Sequence, residues 1–585
     1  MTLNAKFVHS SLALRYLRAA AQQKHEVVLR EFTIHDPVEV VVADLYELSP
    51  DVLGVSCYIW NIEEITRILP VVRKVLPDTL IVLGGPEVSY DGEQRLSACP
   101  AADVVVLGEG EETLRDLLRA HAAGRAYADV PGLAWRMSDG RTVTTRPRPK
   151  IASLDTIASP YPLDRMHELR NRIVYFEASR GCPFHCQFCL SSIEDDVRYF
   201  SLDRVKTELR RLIDAGVRQI KFVDRTFNLR RDYALELFTF LIAAPGETTF
   251  HFEITGDILK PDVVEWLCKN APPGLFRFEI GVQSTNDATN SLVRRRQDFA
   301  RLAATVEAIR EAGAITQHLD LIAGLPEEDY ASFHKTFNDV FALRPDELQL
   351  GFLKLLRGTG LRLSAGKYGY VFMDSAPYEL LYNNVLSYED IIRLKRLEDV
   401  LEKYYNSGRF PRIVRYACEE VFHDAFEFFQ ALGDFWHENG WSRIGHQTAD
   451  VVLRLAGFLD HRGVYGEVAA GLLRADYLLR ENLRPRTLWW RAGTANARDR
   501  AERGAQLGLM RRVAPRGLCD VAHPDFRKRV VLDRVPGAAA ARIVDGWKGD
   551  GRREVDLLYV FPTGGGHPAV YGAEVALCDE TRLGN

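Results

Sequence analysis

RIVYFEASRGCPFHCQFCLSS, residues 172–192, places an apolar strand pattern directly before a loop that holds three of the chain's nine cysteines. Cys182, Cys186 and Cys189 stand at the spacing C-x3-C-x2-C. Three thiolates on one loop can ligate three irons of a four-iron cluster, because thiolate is the soft ligand such clusters require. No fourth cysteine lies nearby, so one iron keeps an open position, as metals in catalytic sites do. The competing readings are a structural zinc site and a dithiol redox pair. Zinc usually takes two separated pairs of ligands, and a redox pair needs only C-x2-C, which leaves Cys182 without a role.

Working outward from that loop, residues 171–364 repeat a strand–loop–helix unit. The strands read RIVYFEAS (172–179), QIKFVD (219–224), TFHFEIT (249–255), FRFEIGV (276–282), QHLDLIAG (317–324) and ELQLGFLK (347–354). Six such units predict a partial (β/α)6 barrel, whose chemistry collects at the loops after the strands. The cysteine loop follows the first of them.

Residues 1–125 alternate in the same way. Strand patterns at 25–34, 51–58, 79–85 and 102–108 are separated by helical patterns at 10–22, 38–48 and 62–76. This predicts an α/β fold with a doubly wound, Rossmann-like parallel sheet and ligands at the strand-end loops. Only Met1 to Leu3 precede Asn4, so the first strand is either very short or begins upstream of the assigned start. Residues 126–170 contain Gly and Pro, with a hairpin around Asp139-Gly140, and read as an extension and linker. Residues 365–585 form a mostly helical carboxyl-terminal domain. Its first helix, SYEDIIRLKRLEDVLEKYYNSG, opens with Ser387 as N-cap and Asp390 three residues on, and closes at Gly408.

At 585 residues the chain is too long for one core, so three or four domains are expected. The net charge of −5 disfavours bulk nucleic-acid binding. No apolar run reaches membrane-spanning length and no secretory pattern opens the chain, so the expected compartment is the cytoplasm. The aromatic stretch Phe422, Phe426, Phe428, Phe429, Phe435, Trp436 and Trp441 reads first as a helical core, with a wall closing the barrel as the sharper alternative. Arg484, Arg486, Arg491, Arg498, Arg500, Arg503, Arg511, Arg512 and Arg516 read as a solvated basic face. Cys418, Cys519 and Cys578 are too dispersed for a second cluster.

With these residues in place, the chain resembles the radical S-adenosylmethionine (SAM) superfamily, whose hallmark is CxxxCxxC with an aromatic residue, here Phe188, before the last cysteine. Gly281-Val282-Gln283-Ser284 and Asp320-Leu321-Ile322-Ala323-Gly324-Leu325-Pro326 are similar to strand ends of oxygen-independent coproporphyrinogen oxidases. The resemblance implies a [4Fe–4S] cluster on the three cysteines. It also implies SAM held by Phe188, Asp224, Glu253, Gln283, Arg295 and Asp320. Val223-Asp224-Arg225-Thr226 occupies the place of the superfamily's glycine-rich strand end without its glycines. By the same resemblance, one electron from the cluster would break a sulfonium C–S bond of SAM to give methionine and a 5′-deoxyadenosyl radical.

Together with the doubly wound first domain, the barrel resembles the cobalamin-dependent radical SAM proteins. The opening LNAK-Phe-x-HSSLALRYL and the SYEDIIRLKR helix are similar to the subgroup carrying a carboxyl-terminal DUF4080 domain. That implies cobalamin at the strand-end loops: Asn4, His9, Tyr58, Trp60, Asn61, Gly84, Gly85, Pro86, Gly108, Glu109 and Gly110. The Asp-x-His-x-x-Gly cobalt-ligating motif is absent and His9 reads as a helix start, so no histidine is expected on cobalt. Tyr58 or Trp60 would shield the lower face.

The expected function is an enzyme that delivers a methyl group to an unactivated carbon of an unidentified substrate. It would draw electrons from a donor such as flavodoxin or ferredoxin, without a membrane or nucleic-acid partner. Cobalamin-dependent radical cyclisation or oxidation is a second reading, and a non-catalytic cobalamin sensor or carrier is a third. Transfer RNA methylthiolation is disfavoured, because those enzymes carry three further cluster cysteines in the first domain, and only Cys57 and Cys99 are present there.

Overall fold

The computed structural model describes residues 1–193, 196–244, 246–486, 488–491, 529–547, 549, 551–562 and 567–574. The chain divides into two compact units, Met1–Ile391 and Ile392–Asn585.

The first unit opens with β1 (Thr2–Asn4), α1 (Leu12–Ala21), β2 (Glu31–Thr33), α2 (Val38–Leu48), β3 (Val52–Ser56), α3 (Ile62–Val75), β4 (Leu80–Gly84), α4 (Gly92–Ala98), β5 (Val104–Val106) and α5 (Gly110–Ala122). β1 pairs in parallel with β2, Thr2 opposite Glu31. The Ser56 N–H donates to the Met1 carbonyl at 3.0 Å, which joins β1 to β3. β3, β4 and β5 continue in parallel, so the order is β2-β1-β3-β4-β5. The order reverses between β1 and β3, where ligands of such sheets bind. Both faces of the strands carry Val, Leu and Ile, and the residues of one face form a core with Ile65, Ile68, Leu69 and Val72 of α3. β6 (Leu133–Arg136) and β7 (Thr142–Thr144) form the hairpin around Asp139-Gly140 and add two antiparallel strands beyond β5.

Two expectations change here. Of residues 25–34 only Glu31–Thr33 are strand, because this edge strand has only the three-residue β1 to pair with. His9 does not start a helix: Ser11 is the N-cap of α1, its hydroxyl accepting from the Leu14 N–H.

The barrel half of the unit has a short ladder of β9 (Ser179–Arg180) and β10 (Arg198–Tyr199) beside its first strand, β8 (Ile173–Phe176). The other strands are β11 (Gln219–Phe222), β12 (Thr249–Ile254), β13 (Phe276–Gln283), β14 (Thr316–Ala323) and β15 (Glu347–Phe352). The six long strands are parallel and adjacent in chain order, β8-β11-β12-β13-β14-β15. Between them run α6 (Leu202–Asp214), α7 (Arg231–Ile242), α8 (Pro261–Asn270), α9 (Asp287–Leu292), α10 (Phe299–Ala312) and α11 (Tyr330–Phe341). Alternation along the strands sends Phe222, Phe252, Phe276 and Phe278 to a buried aromatic layer with Phe238 of α7. Each such ring contributes about 2–3 kcal/mol by leaving water. The alternate residues are polar and face the lumen.

The first domain reaches the barrel through the loop after β1. Residues 8–10 lie beside β8: the Ile173 N–H donates to Val8 O (2.8 Å), and the Ser10 hydroxyl donates to Ile173 O (2.8 Å). The otherwise open edge of the barrel is thereby paired.

Residues 365–391 also pack in this unit. α12 (Gly360–Leu363), β16 (Val371–Phe372) and β17 (Leu380–Tyr382) follow β15, and Tyr368, Tyr370, Leu380 and Leu386 share a buried cluster with Val293, Leu325 and Leu353. For that reason the first compact unit runs on to residue 391.

α13 (Tyr388–Leu401) leads into the second unit. Its N-cap is reciprocal: the Asp390 N–H donates to Ser387 Oγ (3.1 Å), and the Ser387 N–H donates to Asp390 Oδ2 (3.0 Å). α14 (Pro411–Tyr416), α15 (Ala425–Glu438), α16 (Thr448–His461) and α17 (Glu467–Arg480) follow. β18 (Val530–Pro536), α18 (Gly537–Ile543), β19 (Glu554–Val560) and β20 (Ala569–Glu574) then make a small antiparallel sheet with one helix. Phe426, Phe428, Phe429 and Trp436 are buried in this unit's core, the plainer of their two readings. Of the basic run, Arg484 donates to Val530 O. Arg498, Arg500, Arg503, Arg511, Arg512 and Arg516, with Cys519 and Cys578, lie outside the described residues.

Candidate functional site

The cysteine loop leaves the barrel after β8, at a strand end where function is expected. Gly181 begins it with φ +99°, and a Cβ there would lie 2.0 Å from Asp196 O, so the turn requires glycine. Cys182, Cys186 and Cys189 are all free thiols, the first two buried. The Cys189 N–H donates to Cys186 O (3.0 Å), and the Gln187 N–H donates to Val293 O (2.9 Å), which anchors the loop on the segment after β13. Burial pushes the Cys182 and Cys186 thiols up, and for Cys186 the nearby Arg295 opposes this. Metal loading therefore has to release thiol protons. Among the described residues no three Cys, His, Asp or Glu side chains converge on a point that would hold a single ion. Three free thiols on one loop are the donor set that three corners of a cluster take.

The residues expected around SAM meet at the neighbouring strand ends. Gln283 ends β13 at φ +69°, a left-handed conformation rare for a residue with a side chain, and its Oε1 is buried without a hydrogen-bond partner. Arg295 donates from Nη2 to Gly281 O and from Nε to Gln297 Oε1 (3.1 Å). Asp320 lies one strand over, opposite Gly281, with Oδ1 3.1 Å from His318 Nε2. Glu253 Oε2 is 3.8 Å from Arg225. Burial raises both carboxyls, with His318 opposing at Asp320 and Arg225 opposing at Glu253. Phe188 is partly buried against the cluster that contains Leu325 and Leu353. A buried amide oxygen and two half-shielded carboxylates beside a cationic guanidinium suit a zwitterionic, hydroxyl-bearing ligand such as SAM.

Asp224 is placed differently. It is fully buried, and its two oxygens accept from the Ala178 N–H (2.9 Å) and the Ser179 hydroxyl (2.5 Å). With no glycine in this strand end, the carboxylate turns inward and braces the end of β8.

The lumen below holds residues that the sequence reading did not single out. Lys221 Nζ and His251 Nε2 each lie 2.8 Å from Glu279 Oε2. Although burial works against it, His251 and Lys221 hold Glu279 well below the usual carboxylate range. Arg277 donates to Glu347 and to His318 Nδ1 (3.0 Å), which leaves Nε2 of His318 to face Asp320. Thr226 Oγ1 stands 4.0 Å from Cys182 Sγ. The available signal was the period-two placement of Lys221, His251, Arg277 and Glu279 between phenylalanines and isoleucines, with His318 at the matching position of β14.

In the first domain the expected cobalamin residues fall into two groups. Trp60, 47% exposed, stacks on Tyr58 with ring centroids 4.3 Å apart, just beyond the β1/β3 switch point. Gly84 ends β4 and Pro86 follows it, and Gly108, at φ +73° with open space where a Cβ would stand, follows β5. Open glycines and an exposed indole at strand ends are a cradle that a large flat ligand fits.

The others are engaged in the fold. Asn61 is buried, accepts from the Tyr58 N–H (2.8 Å) and donates to Leu3 O and Ser56 O. Asn4 donates to His9 O. His9 Nδ1 is 2.8 Å from the Tyr175 hydroxyl of β8. A Cβ on Gly85 would lie 2.5 Å from Cys57 O, and one on Gly110 would touch Leu17 of α1. Glu109 is bound by Arg180 (3.1 Å), Arg198 (3.0 Å) and the Ile151 N–H (2.8 Å), so it ties the first domain to the barrel. Glu87 does the same after β4: its carboxylate accepts from the buried Tyr378 hydroxyl and from Arg95 (2.8 Å).

The B12 binding domain family matches residues 1–118, the radical SAM superfamily residues 176–340, and DUF4080, a family of unknown function, residues 366–513. An uncharacterized methyltransferase of Pyrococcus horikoshii is 31% identical over 39% of this chain and 51% of its own length. An anaerobic magnesium-protoporphyrin IX monomethyl ester cyclase of Rubrivivax gelatinosus is 26% identical over 51% of this chain and 55% of its own. The chain thus spans about half the length of these relatives. The solved structure of OxsB, a cobalamin-dependent SAM radical enzyme with aqua-cobalamin bound, superposes with a TM-score of 0.56 at 14% identity, covering 88% of this chain and 81% of that one, a likeness of fold.

Proposed function

We propose that this chain, a radical SAM superfamily member with a B12 binding domain before its barrel and a DUF4080 domain after it, is an enzyme that methylates an unactivated carbon of its substrate. The observation that carries the reading is the cysteine loop opening at the same strand ends as Gln283, Arg295, Glu253 and Asp320. The first domain's β1 loop is paired to that same barrel through Val8 and Ser10. When bound, the [4Fe–4S] cluster, SAM and cobalamin supply reductive cleavage of SAM and a transferable methyl group.

The protein's own part is to bind and orient. Cys182, Cys186 and Cys189 hold iron as thiolates. Gln283 offers its unpartnered amide oxygen, Arg295 a fixed guanidinium and Asp320 a carboxylate to the polar groups of SAM. Glu253 takes a hydroxyl pair, and Phe188 gives the adenine a flat neighbour. Asp224 is a positioning residue that fixes Ala178 and Ser179 where the loop departs. Tyr58, Trp60, Gly84, Pro86 and Gly108 line the cobalamin crevice, while Glu109, Asn61 and His9 hold the loops around it in register. A reduced flavodoxin or ferredoxin is the donor class that fits, and the cytoplasm the compartment. Every described cysteine is free, and no described helix is long and apolar enough to cross a membrane.

Anaerobic reconstitution followed by product analysis tests the proposal. 5′-Deoxyadenosine must form, S-adenosylhomocysteine must accompany it, and a product must gain the mass of one CH2. Cys186→Ala is expected to abolish SAM cleavage and leave the circular dichroism spectrum unchanged. A non-catalytic cobalamin carrier would make no 5′-deoxyadenosine. The cyclase among the relatives favours ring closure as the second reading. It would give 5′-deoxyadenosine with a product lighter by two hydrogens and no S-adenosylhomocysteine.

A further inference from the structure

A cavity of about 300 Å3 opens beside the edge strand β2, between α1 and residues 165–172. Five arginines line it: Arg15, Arg18, Arg30, Arg165 and Arg172. The two carboxylates in its wall, Glu31 and Glu168, are already shared. Glu31 accepts from the Ser11 N–H and lies 3.4 Å from both Arg15 and Arg172. Glu168 lies 3.6 Å from Arg15 and 3.3 Å from Arg165. Arg30 is paired with Asp44 at 2.8 Å.

Arg18 is different. It is 3% exposed, yet neither Nη1 nor Nη2 has a hydrogen-bond partner among the described residues. The charged groups around it are Arg15 and Arg165 on one side and Glu168 and Asp164 on the other, and burial depresses its basicity. Arg15 and Arg18 are three residues apart on α1 and so share a face. A buried guanidinium without a partner is costly, and its planar fork of donors matches an oxyanion.

We infer that this cavity is a binding site for a compact phosphate-class anion, orthophosphate or pyrophosphate, with Arg18 as its central ligand and Arg15, Arg165 and Arg172 around it. Among the described residues of the wall Leu29 is apolar and none is aromatic, so the wall recognises charge and offers nothing to a base or an acyl chain. The site is separate from the cofactor crevice: Arg30 and Glu31 open β2 at its amino end, whereas the crevice loops follow the carboxyl ends of the strands. Arg172 also donates to His9 O at 2.9 Å, which puts the anion beside the seam between the first domain and the barrel.

The test uses the full chain without reconstitution. Calorimetric titration and thermal unfolding are run with sodium pyrophosphate and with sodium phosphate, against sodium chloride of equal ionic strength. One saturable site and a Tm rise of a few degrees are expected with at least one anion, and which anion saturates assigns the ligand as single or double phosphate. Arg18→Met is expected to abolish both signals and to raise the Tm of ligand-free protein, because it removes an unpaired buried charge. Arg165→Gln, at a half-exposed position, is expected to weaken binding about tenfold with the ligand-free Tm unchanged. Absence of saturable binding with either anion overturns the inference, as does binding of unchanged strength in both variants.

Discussion

A Cβ on Gly281 would lie 2.4 Å from Gln283 Nε2, so the bare backbone at 281 is what lets the Gln283 amide fold back into the barrel. The two residues flank a bulge where β13 slips against β14, from Gly281 opposite Asp320 to Gln283 opposite Leu321. Gln283 takes a left-handed φ there, a strain of about 1 kcal/mol or more that persists because the surroundings fix it. Gly281→Ala is expected to displace the amide and weaken SAM binding about tenfold, the worth of one lost buried hydrogen bond. Iron content after reconstitution should not change. Equilibrium SAM binding checks this, and wild-type affinity would remove Gln283 from the site.

Glu328 predicts a pH dependence of stability. It is fully buried, accepts from the Ser284 (2.6 Å) and Thr336 (2.7 Å) hydroxyls, and burial pushes it from 4.5 up to about 7. The folded chain holds this proton more tightly than the unfolded chain. The resulting stability is complete below about pH 4.5 and is lost as pH rises through 7, a loss of roughly 2–4 kcal/mol. Asp224, also raised to about 7 by burial, slopes the same way. Urea unfolding between about pH 5 and 8 should show Glu328→Gln with a flatter profile than wild type. Parallel profiles would mean that the carboxyl ionises freely in the fold.

Tyr378 closes a cluster that fixes the β4 loop. Its hydroxyl donates to Glu87 and accepts from Arg95 (3.0 Å) and from Arg357 (3.1 Å). Tyr378→Phe leaves a buried Glu87 carboxylate and two guanidinium groups each one bond short, and is expected to cost about 1–3 kcal/mol. The urea midpoint measures it, and a loss under about 0.5 kcal/mol would show that water replaces the hydroxyl without penalty.

How much of this was legible in the sequence depended on whether a residue's role is local. The cysteine triplet, the Ser387–Asp390 cap and the six barrel strands announce themselves within a few residues, through ligand spacing, capping chemistry and period-two alternation. Glu109 and Asn61 sit at strand-end loops where a ligand is expected, but their partners, Arg198 for the one and Leu3 for the other, lie dozens of positions away. The orientation of Asp224 was not legible for a related reason. The strand end was recognised, but nothing local says whether a carboxylate there turns to the ligand or back to Ala178. Nothing local marks Arg15 and Arg18 as buried, since their burial depends on residues 165–172 folding over them.

The same distinction governs cobalt. His9 Nδ1 is held 2.8 Å from the Tyr175 hydroxyl, and the backbone at 8–10 is paired to β8, so the imidazole serves the seam between the first domain and the barrel. Burial, with Lys6 and Lys221 nearby, also keeps its pKa low. His9→Ala is therefore expected to cost about 1 kcal/mol of stability. Cobalamin affinity should stay within about twofold, with the EPR spectrum of bound Co(II) cobalamin unchanged. Trp60→Ala should act on the ligand as well. Removing a half-exposed indole that stacks on Tyr58 and donates to Leu3 O takes away the flat apolar surface of the crevice and should weaken cobalamin binding about tenfold, with a stability cost of about 1 kcal/mol. Nitrogen coupling that is present in wild type and lost in His9→Ala would put the imidazole on cobalt and reverse the two assignments.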